Sequence, residues 1–412
     1  MRAVSKLPPQ SPGFLAGSAA ALAVMLFWAI LTIWLPDHWS FGIVEAGVFG
    51  LAAVWAIRFT IHPYSLSGRP VLIPLAGTVI IGLVQLVTGH TVNRWESWNA
   101  VLKWSVYLTA FFLASQFCSP ATVRGAFRRA LLYFGFALSV VAVMQFFTSP
   151  GKVFWLFQSE YQEGVLGPFV SRDHYAAFIE LVLPIALFEA MSDRRKMLFG
   201  AAMAGAMFAS VIAAASRAGT ILVIVETATV ILMASRRKLA SARRVSGMFA
   251  LLLVVYMLAF TAVVGWTQLW KRFQDPHPYR GRREMLISAV AMARARPWTG
   301  WGLGNFANVY PGYAIFDMGE VVDHAHNDWA EWAAEGGAPF LGCMLAIAVW
   351  SVAQARQCLW GWGVVAIFLH SLIDFPMQKP ALALWVFVLL GAVSVRNESN
   401  NRGLASGPSR DS

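Results

Sequence analysis

The sequence predicts an all-α protein that crosses a membrane many times. Hydrophobic residues make up 58% of the 412 residues and charged residues only 13%, whereas a soluble domain usually carries about 25% charged residues. The mean hydropathy is +0.58, and the apolar residues form long runs separated by short polar segments. Together these observations predict a polytopic helical membrane protein.

Twelve apolar runs approach the length of about 20 residues that a helix needs to cross the hydrocarbon core. They cover residues 14–35, 41–59, 71–89, 98–118, 127–148, 174–191, 197–215, 218–235, 246–269, 337–354, 359–375 and 380–395. The first run lacks a convincing small-residue cleavage site, so we interpret it as a span and not as a signal peptide. We expect one transmembrane domain over 1–395, which includes the two long segments 149–173 and 270–336, and a disordered tail over 396–412 that is rich in Ser, Asn and Gly.

The basic residues predict the orientation of these spans. An even number of spans places both termini on one side, and Lys and Arg concentrate in short cytoplasmic segments. With both termini cytoplasmic, more than half of the 32 Lys and Arg residues lie inside, and most of the others lie in the long segment 270–336. The net charge of +11 therefore reflects orientation. Because the charge does not cluster, it does not predict binding of nucleic acid.

The cysteines predict neither a disulfide framework nor a zinc site. Cys118, Cys343 and Cys358 lie in or beside apolar runs, where small buried hydrophobic side chains are the ordinary interpretation.

Two histidines lie in the motif His324-Ala325-His326-Asn327-Asp328-Trp329. Asn327 is placed to cap a short helix that Gly336-Gly337 would end. An imidazole at a helix N-terminus has a lowered pKa, and a neutral imidazole accepts a proton from a hydroxyl. His324 and His326 are therefore candidate bases. Ordinary interfacial histidines are the alternative, and zinc ligands are a third one that the spacing disfavours.

The turn Ser216-Arg217-Ala218-Gly219 separates two apolar runs. An arginine at membrane depth costs about 2.5–3.5 kcal/mol, so we expect the turn to lift Arg217 toward the surface. A guanidinium there can hold a phosphate through two parallel hydrogen bonds, or it can serve only as an interfacial anchor.

Further arginines are candidates for the same anion-binding surface. Arg172 either pairs with Asp173 or Glu160, or it joins Arg217 and Arg282. Arg282 and Arg283 follow Tyr279-Arg280-Gly281 and precede an apolar, helix-like stretch from Met285 to Ala295.

The glycines of Gly300-Trp301-Gly302-Leu303-Gly304 are spaced like part of a nucleotide-binding loop. No strand precedes them, as a dinucleotide-binding unit requires, so we predict a tight turn at the membrane surface. Farther along, His370 and Asp374 lie one helical turn apart near the end of a predicted span. Ionisable groups in a span are functional candidates, although a local structural pair is equally in keeping with the spacing.

In this order, the motifs resemble the bacterial O-antigen ligase family, which includes O-antigen polymerases. The resemblance covers residues 160–390. Its parts are Gly167-Pro168-Phe169 to Tyr175-Ala176, Ser216-Arg217-Ala218-Gly219, Arg282 before Pro297 and Gly300-Trp301-Gly302, His326-Asn327 before Glu335-Gly336, and His370 with Asp374. Family members often carry Asn where this chain has Ser171 and Asp173.

The resemblance implies a GT-C-like membrane fold and glycan transfer on the periplasmic face of the bacterial inner membrane. The reaction would be inverting and independent of metal, and no cofactor is expected. The donor would be a glycan on undecaprenyl pyrophosphate, and the acceptor a hydroxyl of lipid A–core or of another lipid-linked glycan. Besides these two substrates, the partners would be membrane lipids.

The same resemblance implies roles for the candidate residues. We expect His326 to be the base and Arg217 and Arg282 to be the catalytic cations. Substrate-binding roles are expected for Arg172, His324, Asn327, Arg283 and His370, and no residue is assigned to a metal.

Three functions remain to be compared. We favour an O-antigen ligase over an O-antigen or exopolysaccharide polymerase that would use the same donor. A twelve-span transporter or flippase is the third possibility. Such folds often contain two related halves, but the long segments here follow predicted spans five and nine, which breaks that symmetry.

Overall fold

The computed structural model describes residues 11–35, 39–64, 66, 69–159, 164–193, 195–236, 242–275, 280–316, 319 and 321–395. The predicted tail 396–412 and Glu160 lie outside these described residues. The described chain is an all-α polytopic membrane protein, as the sequence predicts.

Within this part of the chain the helices follow one another with short connections. They are α1 Pro12–Leu31, α2 Trp39–Ile61, α3 Leu72–Thr88, α4 Arg94–Phe117, α5 Ala121–Thr148, α6 Arg172–Ser192, α7 Met197–Ala214, α8 Arg217–Arg236, α9 Ala242–Val264, α10 Thr267–Phe273, α11 Arg280–Ala295, α12 Phe306–Val309, α13 Asp328–Ala355, α14 Trp362–His370 and α15 Pro380–Val393. Short 3₁₀ turns cover Tyr310–Gly312, Leu359–Gly361 and Pro376–Gln378.

Nine of the described helices are long and apolar enough to cross a membrane. They are α1, α2, α4 to α9 and α13. Shorter apolar helices lie at the other three predicted positions, over Leu72–Thr88, Leu359–His370 and Pro380–Val393. Each of the twelve predicted runs therefore corresponds to an apolar helix, although three of them are shorter than a full span.

Several predicted boundaries differ from the observed helices, and three of these differences involve the ninth, tenth and eleventh runs. The ninth run does not continue to residue 269, because Gly265 adopts a φ of +79° after α9 and the chain restarts as α10. The tenth begins earlier than predicted, at Asp328, and contains a non-helical residue at Gly337. The eleventh ends at His370, so Asp374 lies in the turn that follows the helix.

Helices α6 and α15 form the centre of the bundle. Nearly every residue of α15 is buried, and Phe178 of α6 packs edge-to-face on Trp385 of α15 at 5.1 Å between ring centroids. Helix α6 also approaches α8 closely, since a Cβ placed on Gly219 would lie 2.3 Å from the Cβ of Ala176. By contrast, most described residues of α9 are partly or fully exposed, as expected for a helix that faces lipid.

The two long predicted loops contain structure of their own. In 149–173, strands β1 Lys152–Val153 and β2 Phe157–Gln158 form an antiparallel hairpin. The segment 270–336 is tied to the bundle through Gln85 of α3, whose Nε2 donates to the carbonyls of Thr299 and Glu335 at 2.6 and 2.8 Å.

A tight turn is present at the predicted Gly/Trp position in the same segment. Gly300 and Gly302 both have positive φ, and a Cβ on Gly300 would lie 2.0 Å from the Glu335 carbonyl oxygen. The turn therefore packs backbone against the first part of α13. Through it, the start of α13 and the preceding histidines keep a fixed position relative to α3 and α4.

Candidate active site

His326 is joined to Asp374 at the centre of the candidate site. Its Nδ1 lies 2.9 Å from Asp374 Oδ1, and its side chain remains 30% exposed. Burial raises the pKa of Asp374, but the hydrogen bond from His326 and the charges around it lower the pKa more, so the carboxyl is ionised. An ionised carboxylate only accepts hydrogen bonds. The Nδ1 of His326 therefore carries the proton, and Nε2 of a neutral ring can accept one.

The backbone of His326 is strained. Its φ is +49°, a left-handed conformation that costs about 1–3 kcal/mol for a residue other than glycine. Such strain persists only where the surroundings enforce it, and it clusters at functional sites. Here the edge-to-face contact of the imidazole with Phe375, at 4.6 Å, and the bond to Asp374 hold the residue in place.

Arg282 connects the same carboxylate to α6. Its Nη2 donates to Asp173 Oδ2 at 2.6 Å and lies 3.7 Å from Asp374 Oδ1, while its Nη1 donates to the Ile373 carbonyl at 2.9 Å. Asp173 therefore pairs with Arg282 and not with its neighbour Arg172. One guanidinium lies between two carboxylates that come from distant parts of the chain.

The turn between α7 and α8 brings Arg217 to this place. Ala215 has a φ of +54° and ends α7, after which the Ser216 hydroxyl accepts from the Gly219 backbone N–H at 3.1 Å and donates to Asp173 Oδ1 at 2.7 Å. Arg217 begins α8, and its Nη1 donates to the Arg272 carbonyl at 2.9 Å. Asp173 thus links the turn that carries Arg217 to Arg282.

A cavity of about 370 Å³ lies between these elements, a size within the usual range for small-molecule sites. Four basic side chains and two carboxylates are among its lining residues. The lining consists of Asp173, Arg217, Ala218, Gln268, Lys271, Arg272, Asp275 and Arg282. Two of the predicted site residues, Arg217 and Arg282, therefore face one basic cavity.

Lys271 and Arg272 were not among the sequence candidates. Burial lowers the pKa of the Arg272 guanidinium, and the like charges of Arg172, Arg217 and Arg282 lower it further, against the opposing effect of Asp173. Four arginines are thus electrostatic neighbours. The available signal was the pair Lys271-Arg272 directly after a predicted span and beside two tryptophans.

His324 has a different partner from His326. Its Nδ1 lies 2.9 Å from Glu331 Oε1, and its ring packs on Phe375 at 4.5 Å. Burial lowers the pKa of His324, and the charge of Lys379 lowers it further. For His324 the direction of the pKa change is the one expected from the sequence, but burial and not the helix terminus is its largest cause.

Two other residues that were expected to bind substrate form hydrogen bonds within the protein instead. The side chain of Asn327 caps α13 by accepting from the Ala330 N–H at 2.9 Å, as predicted, and its amide donates to the Leu372 carbonyl at 2.6 Å. His370 is fully buried, and its Nδ1 lies 2.9 Å from Glu180 Oε1. His370 and Asp374 therefore do not form the local pair that their spacing suggests, and His370 presents no surface to a substrate.

The remaining two candidates lie at the edge of the site. Arg172 begins α6, and a Cβ placed on Gly164 would lie 3.3 Å from its Nη2. It acts on the cavity through its charge and is not part of the lining. Arg283 follows Arg282 on α11, but its side chain is exposed and does not line the cavity.

One group of ligand atoms could accommodate a cation. Ligand atoms of Asp173, His370 and Asp374 lie within 4.8 Å of one another. The Arg282 guanidinium already contacts the two carboxylates of this group, and His370 is bonded to Glu180. The protein itself therefore supplies a positive charge to the two carboxylates and a hydrogen-bond partner to the histidine.

Comparison with known proteins agrees with the expected resemblance. A family model described as O-antigen ligase matches residues 202–347, a stretch that includes Arg217, Arg282, His324 and His326. No curated protein matches the chain. Residues 202–347, which contribute most of the cavity lining and His326, are therefore similar to the O-antigen ligase family.

Proposed function

We propose that this protein is an O-antigen ligase, a membrane glycosyltransferase that transfers a glycan from undecaprenyl pyrophosphate to a hydroxyl of lipid A–core. The observation that carries the proposal is the contact chain His326–Asp374–Arg282–Asp173, which ends at a basic cavity. These contacts support the proposal because a general base at His326 would then be connected to cations that could bind the donor diphosphate. The family match supports an enzyme of the ligase and polymerase type over a transporter or flippase.

The cavity suits the leaving group of this reaction. As the glycosidic bond to the diphosphate breaks, negative charge grows on the phosphate oxygens, and preorganised cations aimed at that charge lower the barrier. Arg217 and Arg282 can each offer a planar pair of N–H donors, and Lys271 and Arg272 add charge to the same lining. The cations are held by α8, α10 and α11, so they do not reorganise when the charge develops.

His326 suits the acceptor side. We assign its Nε2 to take the proton from the acceptor hydroxyl while that oxygen attacks the anomeric carbon of the donor sugar. The bond from that carbon to the diphosphate oxygen breaks, and its electron pair leaves with the diphosphate. A single displacement of this kind inverts the anomeric configuration. Asp374 stabilises the imidazolium that forms, because its carboxylate lies 2.9 Å from Nδ1.

Arg282 couples the two halves of the reaction. It lines the cavity, and it also lies 3.7 Å from the carboxylate that orients His326. A donor diphosphate bound in the cavity would therefore lie close to the base. In the orientation that the basic residues predict, both termini are cytoplasmic and this site opens on the periplasmic side of the inner membrane.

The decisive experiment is transfer by the purified protein. Wild-type protein and a His326→Ala variant are reconstituted with a glycan on undecaprenyl pyrophosphate and with lipid A–core, and the products are separated by electrophoresis. We expect glycosylated lipid A–core only with the wild type. Elongation of the lipid-linked glycan without use of lipid A–core would instead identify a polymerase. Movement of unaltered donor across the bilayer without any product would identify a flippase.

A further inference from the structure

The short helix α10 contributes one side of the basic cavity. Four positions, spaced i, i+3, i+4 and i+7, line the cavity, and this spacing is one face of an α-helix. They are Gln268, Lys271, Arg272 and Asp275. Every side chain that α10 and the following turn give to the cavity is therefore polar.

A second face of the same segment is aromatic and exposed. Trp266, Trp270 and Phe273, spaced i, i+4 and i+7, are 61%, 55% and 47% exposed. The rings of Trp266 and Trp270 lie 6.0 Å apart between centroids. These three large exposed rings therefore form one apolar row on this face.

The position of α10 relative to the bilayer follows from its neighbours. It comes directly after the lipid-facing helix α9, from which the turn at Gly265 separates it. Leu269 is buried against Ile212 and Ala215 at the end of α7, and this contact holds the helix against the bundle. A helix that begins where a span ends lies at the membrane interface, where tryptophan is enriched.

Within the described part of the chain, the basic face of α10 carries two cations that form no ion pair. They are the Lys271 ammonium and the Arg272 guanidinium. Arg272 is partly buried beside the like charges of Arg172, Arg217 and Arg282. Like charges gathered against one another are stabilised when an anion enters between them.

We propose that α10 is the lipid-side gate of the site, where Trp266, Trp270 and Phe273 bind the isoprenoid chain of a membrane-borne diphosphate while Lys271 and Arg272 bind its phosphates. The two faces lie on opposite sides of a helix about 10 Å in diameter, which matches an amphiphile whose charged group adjoins an apolar chain. The gate rests on the proposed glycan transfer and adds the route by which the donor leaves the bilayer.

The gate is tested by binding, which requires no transfer. Full-length protein in nanodiscs of constant lipid content is titrated with labelled undecaprenyl pyrophosphate and with geranyl pyrophosphate, which has the same diphosphate on a short chain. The measured quantity is the ratio of the two dissociation constants. We expect the wild type to bind the long chain more tightly than the short one. In the double variant W266A/W270A, the ratio of the two dissociation constants should shift by about tenfold toward the short chain. The control Trp95→Ala removes a 68% exposed tryptophan at the start of α4 and keeps the wild-type ratio.

The basic face is tested with K271Q/R272Q. Because both ligands carry the same diphosphate, this variant weakens both by about tenfold or more and leaves their ratio unchanged. A wild-type ratio in W266A/W270A overturns the gate, and so does an equal loss of both ligands in that variant, which would show that the tryptophans only anchor the protein. A protein that binds the long chain as expected but transfers no glycan would refute the proposed function and leave the gate standing.

Discussion

His326 and Asp374 are 48 positions apart in the chain and share a hydrogen bond of 2.9 Å. The bond joins the loop before α13 to the turn after α14, and it leaves one imidazole nitrogen available for a proton. The carboxylate of the pair also lies 3.7 Å from Arg282, which faces the basic cavity. The five predictions below test the parts of this arrangement separately.

Replacing His326 by alanine should reduce glycan transfer by about 10²–10⁴-fold, the usual contribution of a general base. Donor binding should be retained, because the cationic lining is unchanged. Initial rates of transfer and binding of the diphosphate lipid are measured on the same preparation. His90→Ala, which changes an exposed histidine outside the cavity, is the control. Wild-type rates in the His326 variant would remove this residue from the mechanism.

Asp374→Asn should reduce transfer by about 10²-fold or more, since an amide stabilises an imidazolium less than a carboxylate does. The variant also tests the lowered pKa of Asp374. A carboxyl with a lowered pKa adds stability that is complete above its ordinary pKa of about 3.9 and is lost as the pH falls through the folded-state value. The difference in thermal stability between wild type and variant should not shrink between pH 8 and pH 5 and should shrink only below about pH 4. A difference that already shrinks near pH 6 would contradict the lowered pKa.

Arg217→Lys should lower kcat/KM for the lipid-linked donor by about 10²-fold. The lysine ammonium cannot reproduce two parallel hydrogen bonds to a phosphate. The substitution also removes the hydrogen bond from Arg217 Nη1 to the Arg272 carbonyl. Steady-state kinetics with a saturating acceptor measure the effect. Arg94→Lys, at the start of α4 and outside the cavity lining, should behave as wild type. Undiminished donor binding by the Arg217 variant would argue that this arginine only anchors the turn.

Arg282 and Arg283 are adjacent in sequence but differ in position. Arg282 contacts Asp173 and lines the cavity, whereas Arg283 is exposed. Arg282→Gln should therefore cost at least about tenfold more transfer activity than Arg283→Gln, because it removes a charge-assisted hydrogen bond as well as a cavity cation. The two variants are compared at equal amounts in the membrane. Equal losses would mean that Arg283 binds substrate, as the family resemblance implies.

Transfer should survive chelation by EDTA. Asp173 and Asp374 are the carboxylates best placed for a cation, and the guanidinium of Arg282 already contacts both. Rates are measured before and after dialysis against EDTA, with Mg²⁺ or Mn²⁺ added back. An activity that disappears on dialysis and returns with either ion would assign the charge-stabilising role to a metal.

Much of the fold could be predicted because helices are encoded by consecutive residues. Asn327 has a side chain that accepts from the Ala330 N–H, so it caps α13 wherever the rest of the chain lies. Gly300 tolerates a positive φ, so the turn at that point could also be expected. The end of α9 at Gly265 was missed because the hydropathy of the run continues past the glycine.

The contacts within the site are harder to predict from the sequence, because they depend on how distant helices pack. The spacing of His370 and Asp374 suggests that they pair within one helix. Because α14 packs against α6, His370 instead forms its hydrogen bond with Glu180. Asp374 lies in the turn after α14, where its carboxylate forms a hydrogen bond with His326. Lys271 and Arg272 line the cavity only because α10 packs against the end of α7 and turns one face to the cavity. The sequence alone does not predict that packing.

Hydropathy and helix capping act over neighbouring residues, so the amino-acid sequence alone predicts a bundle of apolar helices and the few polar residues that could carry chemistry. Which of those residues come into contact depends on how the helices pack. Arg282 and Asp173 are 109 positions apart and lie 2.6 Å from each other. Such a contact exists because buried charges require partners, and the packing of the helices decides which partners are within reach.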